Sequence, residues 1–319
     1  MKNLAKIMIV CLAVFLGMGN SYAQEEEEMH KTFKAKRSVR IQTVSGDCVV
    51  KRGSSDKIQV DLVYSVEPKK SFEPEFQERG DVLRLKERWY GSSSGEVIWT
   101  LTVPPKTEID FSTASGDLSI DGMTSSFEAN TASGEITVKN SEGQFDFSTA
   151  SGDIILEDSQ GEFDLSTASG EIEAYNIRGL IDLSTASGDI DVTDSKGTYD
   201  LSCASGNIDA SDILIEEESF FSTASGKVYV KPAESPEYDL ELSSASGNVT
   251  LDYNGNPIKG YFEFTARKRR GRIVSPVAFD KEEEFERHDR TYVRKSFTKG
   301  SGEPRIYIET ASGRAILKK

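Results

Sequence analysis

Apolar and polar residues alternate with a period of two along most of the chain, in short runs separated by glycine-containing turns. Residues 163–167 read Phe-Asp-Leu-Ser-Thr, and residues 171–174 read Glu-Ile-Glu-Ala after an Ala-Ser-Gly turn. Such alternation is typical of half-buried strands. The glycine of the turn suggests a positive φ. Each unit is therefore predicted to be two short strands joined by two turns.

This two-strand unit is repeated every 18 residues in the middle of the chain. Looser copies before and after it extend the repeat toward both ends. The motif Thr-Ala-Ser-Gly or a close variant begins at Thr43, Thr113, Thr131, Thr149, Thr167, Thr185, Cys203, Thr223, Ser244 and Thr310. A two-strand unit cannot bury its own apolar side, whereas stacked copies can. The repeat thus predicts stacking.

Equivalent apolar positions of successive repeats should form three inward columns. The columns are Phe127, Phe145, Phe163, Ile181 and Tyr199; Phe111, Ala129, Phe147, Leu165, Leu183 and Leu201; and Leu118, Ile136, Ile154, Ile172, Ile190 and Ile208. We therefore predict an all-β protein, a single parallel β-solenoid of 18-residue, two-strand coils with capping ends. The crossover rule favours right-handed winding. An antiparallel meander of hairpins is the alternative.

The first residues have the pattern of a secretory signal peptide. Lys2 and Lys6 precede the uncharged apolar stretch 7–18, and Ser-Tyr-Ala ends at Ala23 before Gln24. We expect residues 1–23 to be removed, and the mature protein to be exported to the periplasm, the cell surface or the medium without a transmembrane span. Residues 24–29 should then form an acidic, disordered tail.

The repeat copies divide the rest of the chain. Residues 30–110 should hold the N-terminal cap and first coils, with a polar loop at Glu67–Gly80, and residues 111–253 the solenoid of 18–21-residue repeats. Residues 254–304 are predicted to be a charged insertion, and residues 305–319 the final coil and C-terminal strand.

The repeated Ser-Gly-Asp/Glu phrase resembles a bacterial family of β-strand-repeat envelope proteins named "putative adhesins", a domain of unknown function. The resemblance includes Val-Pro-Pro-Lys-Thr at 103–107, Gly-Ser-Gly at 300–302, and Ile-Tyr-Ile-Glu-Thr-Ala-Ser-Gly at 306–313. It implies a β-solenoid in the cell envelope or outside the cell, and no catalytic residues come with it. The long insertion before the last repeat departs from the simplest members.

Composition narrows the possible functions. The 319-residue chain has 53 acidic and 38 basic residues, a net charge of −15, and a pI of about 4.8 argues against general nucleic-acid binding. Two histidines and three cysteines are too few for a multi-histidine metal site or a four-cysteine zinc site. Cys48 and Cys203 should be buried thiols several coils apart.

Outward acidic columns are one candidate site. Residues 111–230 hold 23 acidic and 4 basic residues. A solvated face is the simpler interpretation, and a surface that collects divalent cations such as Ca²⁺ is the functional one. The candidate cation ligands are Asp146, Asp164, Asp182 and Asp200 in one column, and Asp153, Glu171 and Asp189 in the other. No other cofactor is expected.

A basic run in the insertion is the second candidate site. Arg267, Lys268, Arg269, Arg270 and Arg272 could contact an anionic lipid or polysaccharide, or could be a solvated loop paired with Glu282, Glu283 and Glu284. The repeated threonines are expected to point inward or cap turns.

These features favour an exported, non-catalytic, adhesin-like binding scaffold whose partners are envelope proteins or polysaccharide. A self-assembling structural or envelope-stress component is the alternative, and a carbohydrate-active β-helix enzyme is third. Ser54-Ser55-Asp56-Lys57 matches Ser-x-x-Lys, but the other motifs of that chemistry are missing, and no Gly-x-Ser-x-Gly motif is present. We therefore do not expect an enzyme.

Overall fold

The computed structural model describes residues 26–319, which form strands and one short 3-10 turn at Lys69–Ser71. The proposed signal peptide lies outside the described residues. The first strand, β1, spans Glu27–Lys34, so Glu27 and Glu28 belong to a strand and not to a disordered tail. The all-β prediction is confirmed.

The strands form two layers. In spatial order, the first sheet contains β5 (Phe72–Arg79), β6 (Val82–Trp89), β2 (Ser38–Gln42), β8 (Glu108–Thr113), β10 (Thr124–Thr131), β12 (Glu142–Thr149), β14 (Gln160–Thr167), β16 (Arg178–Thr185), β18 (Lys196–Cys203), β20 (Ser219–Thr223), β22 (Leu240–Ser244), β28 (Arg305–Thr310), β24 (Gly260–Arg267), β27 (Arg290–Lys299) and β26 (Lys281–Arg287).

The second sheet contains, again in spatial order, β1, β4 (Lys57–Glu67), β7 (Ser94–Val103), β3 (Asp47–Arg52), β9 (Leu118–Asp121), β11 (Ile136–Lys139), β13 (Ile154–Glu157), β15 (Ile172–Tyr175), β17 (Ile190–Thr193), β19 (Ile208–Ile215), β21 (Val228–Pro232), β23 (Val249–Asp252), β29 (Arg314–Lys318) and β25 (Arg272–Val274). A short pairing of β18 with the end of β19 joins the two layers.

The central strands are parallel and in register with the repeat. Phe127 pairs with Phe145 and Phe145 with Phe163, each step covering one 18-residue repeat. The alternative of an antiparallel meander is therefore excluded for these repeats. The arrangement is solenoid-like, because the chain passes alternately through the two sheets and each pass pairs with the equivalent strands before and after it.

The core lies between the two sheets. All three predicted inward columns are buried, and they belong to one continuous hydrophobic cluster with residues of both sheets. The rings of Phe127, Phe145 and Phe163 stack with centroids 5.1 and 5.0 Å apart, close to the strand spacing of about 4.8 Å. Cys48 and Cys203 are buried free thiols in the predicted inward positions.

The repeat glycines are needed for close packing and not for a positive φ, so our reason for them was wrong. A Cβ on Gly170 would lie 1.9 Å from the carbonyl oxygen of Gly152, one coil earlier, and the equivalent distance for Gly188 is 1.7 Å. Positive φ occurs in the opposite turn, at Asn140 and Asp158, for example. Asn and Asp tolerate that region better than most residues.

At both ends of the stack, the spatial order of the coils differs from their order in the sequence. The chain enters at β2 and β3, continues outward to β6 and β7, and returns to β8, which pairs with β2. At the other end, β28 lies between β22 and β24. The last two strands in the sequence, β28 and β29, thus lie inside the stack and are covered by β24 and β25. Residues 260–299, which belong to the predicted charged insertion at 254–304, form the strands beyond them.

Antiparallel strands cover both ends, including a segment that we predicted to be a loop. Within Glu67–Gly80, β5 pairs with β6. Polar residues dominate β5, which hides the strand in the sequence, yet Phe72 is buried and Phe76 packs against the core. Three of the four edge strands disfavour pairing with other chains, because β5 contains Pro74, β26 is highly charged and β25 has three residues.

Candidate functional site

The repeated threonines bind the turns that follow them. The N–H of Gly170 donates to Thr167 Oγ1 at 3.0 Å, and Thr167 Oγ1 donates to the carbonyl oxygen of Gly152 at 3.1 Å. Cys203 takes the same place, and its Sγ accepts from the N–H of Gly206 at 2.7 Å. The prediction that these threonines point inward and cap turns is confirmed, although they bond glycines and not one another.

Beside these turns, the outer surface of the first sheet carries a column of serines. Ser184, Ser202 and Ser222 are paired residues of successive strands, and Ser243 continues the column. Together with the exposed alanines of the Thr-Ala-Ser-Gly turns, they line an open groove of about 880 Å³. We call this space the serine groove. Its small side chains leave a continuous channel across several coils.

A hairpin stands at the C-terminal end of the serine groove. Arg290 and Tyr292 of β27 and Glu309 of β28 contribute to its lining. Arg287 of β26 forms an ion pair with Glu309, with Nη1 and Oε1 2.6 Å apart. This ion pair ties the tip of the hairpin to β28, across β27 and β24.

Aromatic rings and guanidinium groups pack together at this hairpin. The rings of Phe285 and Tyr292 stack at 5.8 Å, with Arg294 4.7 Å from the centroid of Phe285 and Arg287 5.1 Å from that of Tyr292. The structure thus brings a mixed aromatic and cationic wall to the end of a polar groove. We did not predict this wall, because the repeat pattern is absent from residues 281–294.

The first acidic column lies on the same outer surface, next to the serines. The four candidate ligands Asp146, Asp164, Asp182 and Asp200 are paired in single file on β12, β14, β16 and β18, and all are exposed. Partial burial raises the pKa of Asp182, and the charges of Asp200 and Asp164 raise it further.

The second acidic column lies in the Ser-Gly turns and bonds the backbone. Oδ1 of Asp153 accepts from the N–H of Glu171 at 2.8 Å, and Oδ1 of Asp189 accepts from the N–H of Asn207 at 2.7 Å. These aspartates therefore tie each coil to the next. Glu171 itself has its pKa raised to about 7 by burial and by a hydrogen bond to the carboxyl group of Asp191.

Neither acidic column converges on a point. Within residues 26–319, no group of three or more His, Cys, Asp or Glu side chains is arranged to hold a metal ion. The columns are ladders of single carboxylates about one strand spacing apart. Cation binding by these seven residues stays a prediction.

The predicted basic patch lies at the C-terminal end of the stack. Arg267 ends β24, Lys268, Arg269 and Arg270 form the turn, and Arg272 begins β25. Four of these five residues are exposed, Arg267 being half-buried. Lys268 pairs with Glu284, one of the three glutamates that we considered as partners. The other two, Glu282 and Glu283, pair with Lys295 and with Lys281 and Arg294.

Stacked, in-register coils with a long outer groove define a class of all-β, solenoid-like protein. Within the described part of the chain, no helix is long and apolar enough to cross a membrane. The chain belongs to the toastrack DUF4097 family, whose family model matches residues 41–275. This confirms the resemblance seen in the repeats. Comparison with curated proteins gave no match.

Several solved structures are similar to this chain over most of their length. They include a "putative lipid binding protein" from Parabacteroides distasonis (13% identity, TM-score 0.44, 93% of this chain and 98% of that one) and a "putative cell adhesion protein" from Clostridium sporogenes (12%, 0.22, 92% and 99%). A "putative adhesin" from Bacteroides fragilis has 11% identity and a TM-score of 0.33, covering 92% and 98%. At these TM-scores the similarities carry no argument about function.

Proposed function

We propose that this protein is an exported, non-catalytic binding scaffold of the cell envelope, with an adhesin-like role. The observation that carries the proposal is the serine groove, open along its length and lined by equivalent residues of several coils. An open channel of this kind suits an extended partner, because successive coils offer the same contacts to successive segments of that partner. A small substrate would instead favour an enclosed, apolar pocket.

An envelope polysaccharide fits the groove best. The outward serine hydroxyls both donate and accept hydrogen bonds, as sugar hydroxyls require. The exposed Arg290 at the hairpin end of the groove would bind an anionic substituent of the polysaccharide. The pattern of a signal peptide at residues 1–23 supports export, and right-handed winding of the coils stays a prediction.

Charge complementarity favours self-assembly as a second candidate. Residues 256–319 carry 16 basic and 9 acidic residues, whereas the central repeats are strongly acidic. A basic end of one copy could contact the acidic column of another. Pairing of edge strands contributes little to such assembly, because charge, proline and short length protect three of the four edges.

The test is a pull-down of native envelope fractions by the mature protein, with calcium and with chelator. Ser202→Tyr fills the serine groove, and Thr193→Tyr is the matched control on the outer surface of the second sheet. The control position is paired with Tyr175, so a tyrosine there is tolerated. Retention that Ser202→Tyr abolishes and Thr193→Tyr preserves supports the groove.

Other outcomes assign the binding elsewhere. Retention that requires calcium would favour the acidic columns, and retention lost when Arg267–Arg272 is neutralised would favour the basic patch. Absence of retention would reject adhesion and leave concentration-dependent self-assembly as the leading function. Release of shortened polysaccharide would establish the third candidate, an enzyme.

A further inference from the structure

A second pocket lies at the opposite end of the first sheet, in the N-terminal cap. It has a volume of about 230 Å³. Its lining consists of Arg40, Gln42, Glu75, Gln77, Arg79, Arg84, Leu85, Lys86 and Arg88. Five of these residues are basic and one is acidic, in a protein whose net charge is −15. This concentration of positive charge is the opposite of what the composition would lead one to expect.

The alternation of β6 creates this cluster. Leu83 and Leu85 point into the core, so Arg84, Lys86 and Arg88 share the outer side of the strand. Arg84 is directly paired with Arg40 of β2, one strand away. Like charges opposite each other in a sheet destabilise it, which calls for a compensating negative charge.

The carboxylates present compensate only part of the cluster. Arg40 forms an ion pair with Asp110, and Arg88 forms one with Glu75. Among residues 26–319, no ion pair is found for Arg79, Arg84 or Lys86. The Nε of Arg84 is buried and has no hydrogen-bond partner there. A buried donor without a partner is costly, and a ligand oxygen would satisfy it.

We propose that this pocket binds a phosphate group, with Arg84 as its central contact and Arg79 and Lys86 at its sides. A phosphate dianion matches the excess of positive charge, and guanidinium groups bind phosphate oxygens in pairs. The side-chain amides of Gln42 and Gln77 supply further donors. The volume equals that of about seven or eight waters, enough for a phosphate and a small part of the molecule that carries it.

Isothermal titration of the mature protein with inorganic phosphate tests the proposal, at constant ionic strength with chloride as the reference. We expect saturable binding at one site. Arg84→Gln and Arg79→Gln should each weaken it at least tenfold, and Arg84→Lys should retain only part of it, because lysine cannot form the paired contact. Arg178→Gln, at the exposed start of β16 in the central repeats, is the matched control and should bind as the wild type does.

Two outcomes would overturn the proposal. One is a response to phosphate no larger than that to chloride, which would mean general screening of charge. The other is equal weakening of phosphate binding by Arg178→Gln. Arg79 is exposed at the end of β5, so Arg79→Gln tests the pocket even if Arg84→Gln fails to fold.

The same variants distinguish the sources of the phosphate group. Glycerol 3-phosphate and vesicles of phosphatidylglycerol, compared with vesicles of phosphatidylcholine, separate a soluble ester from a lipid headgroup. The inference is independent of the proposed function, because the phosphate pocket and the serine groove lie at opposite ends of the first sheet. Loss of groove binding in Ser202→Tyr would leave phosphate binding unchanged.

Discussion

The close packing of repeat glycines predicts a large cost for adding a single methyl group. In Gly170→Ala, the new Cβ would lie 1.9 Å from the carbonyl oxygen of Gly152, whereas ordinary van der Waals contact begins at 3.4 Å. The obstacle is backbone, so no side-chain rotation relieves it. The two coils would have to separate locally by more than an ångström.

The magnitude follows from the hydrogen bonds that such a separation disturbs. Gly152 accepts from Thr167 Oγ1 at 3.1 Å, Thr167 accepts from the N–H of Gly170 at 3.0 Å, and the N–H of Ile154 donates to the carbonyl oxygen of Glu171 at 3.0 Å. Weakening three bonds worth about 1 kcal/mol each, with overpacking of about 1–3 kcal/mol, gives a loss of about 4–6 kcal/mol in the free energy of unfolding.

Urea unfolding followed by far-UV circular dichroism measures this loss. For a slope of about 3 kcal/mol/M, the midpoint should fall by more than about 1 M. Gly80→Ala is the control, because Gly80 has a φ of +58° but no atom within 4 Å of a Cβ, so only backbone strain of about 1 kcal/mol is expected. Equal midpoints for the two variants would refute a steric origin.

Three further predictions concern buried or paired polar groups. Glu87→Ala should destabilise the N-terminal cap by about 3 kcal/mol, because this buried side chain accepts hydrogen bonds from the indoles of both tryptophans. Unfolding followed by tryptophan fluorescence measures the loss, and an unchanged unfolding transition would contradict the prediction. Tyr253→Phe should leave stability unchanged or raise it by up to about 1 kcal/mol, because the buried hydroxyl of Tyr253 has no partner among the described residues. Tyr199→Phe should lower stability by about 1 kcal/mol, because it removes a hydrogen bond to a backbone carbonyl. Thermal unfolding that ranks the two variants in the opposite order would reject this prediction. The pKa of Glu171 is raised from 4.5 to about 7, so between these pH values the folded protein keeps a proton on Glu171 that the unfolded chain releases. The contribution of protonated Glu171 to the stability of the fold is therefore complete below pH 4.5 and is lost as the pH rises to 7. Glu171→Gln should remove about 1 kcal/mol of that decline in stability, after allowance for solvent screening. Glu135→Gln is the control and should not remove it, because the partner of Glu135 at the equivalent position is a threonine hydroxyl. Stability curves from pH 4 to 8 that run parallel for Glu171→Gln and the wild type would exclude the effect.

Much of the central stack could be predicted because the repeats from Thr113 to Cys203 all have the same length. When strand and turn positions recur at 18 residues, stacking in register places equivalent side chains beside each other. Phe145 between Phe127 and Phe163, and Cys203 in the place of a threonine, follow from this rule. The outward acidic columns follow from the same alternation.

The candidate sites were less predictable. The acidic columns and the basic patch lie where the sequence places them. However, the aspartates of the turns bond backbone amides, a role that depends on the distance between coils. The wall of Arg290 and Tyr292 at the serine groove has no repeat pattern, and the phosphate pocket combines β2 with the later hairpin of β5 and β6.

The sequence alone therefore determined the strands, the buried columns and the register of residues 111–203, because period-two alternation and a constant repeat length leave one way to bury the apolar side. Tertiary structure decided the exchanged order of the end coils, the strands at Phe72–Arg79 and 281–299, and both cavities. In those regions the partners are distant in sequence and share no period. Their pairing depends on which edges the central stack leaves open and which segments can cover them.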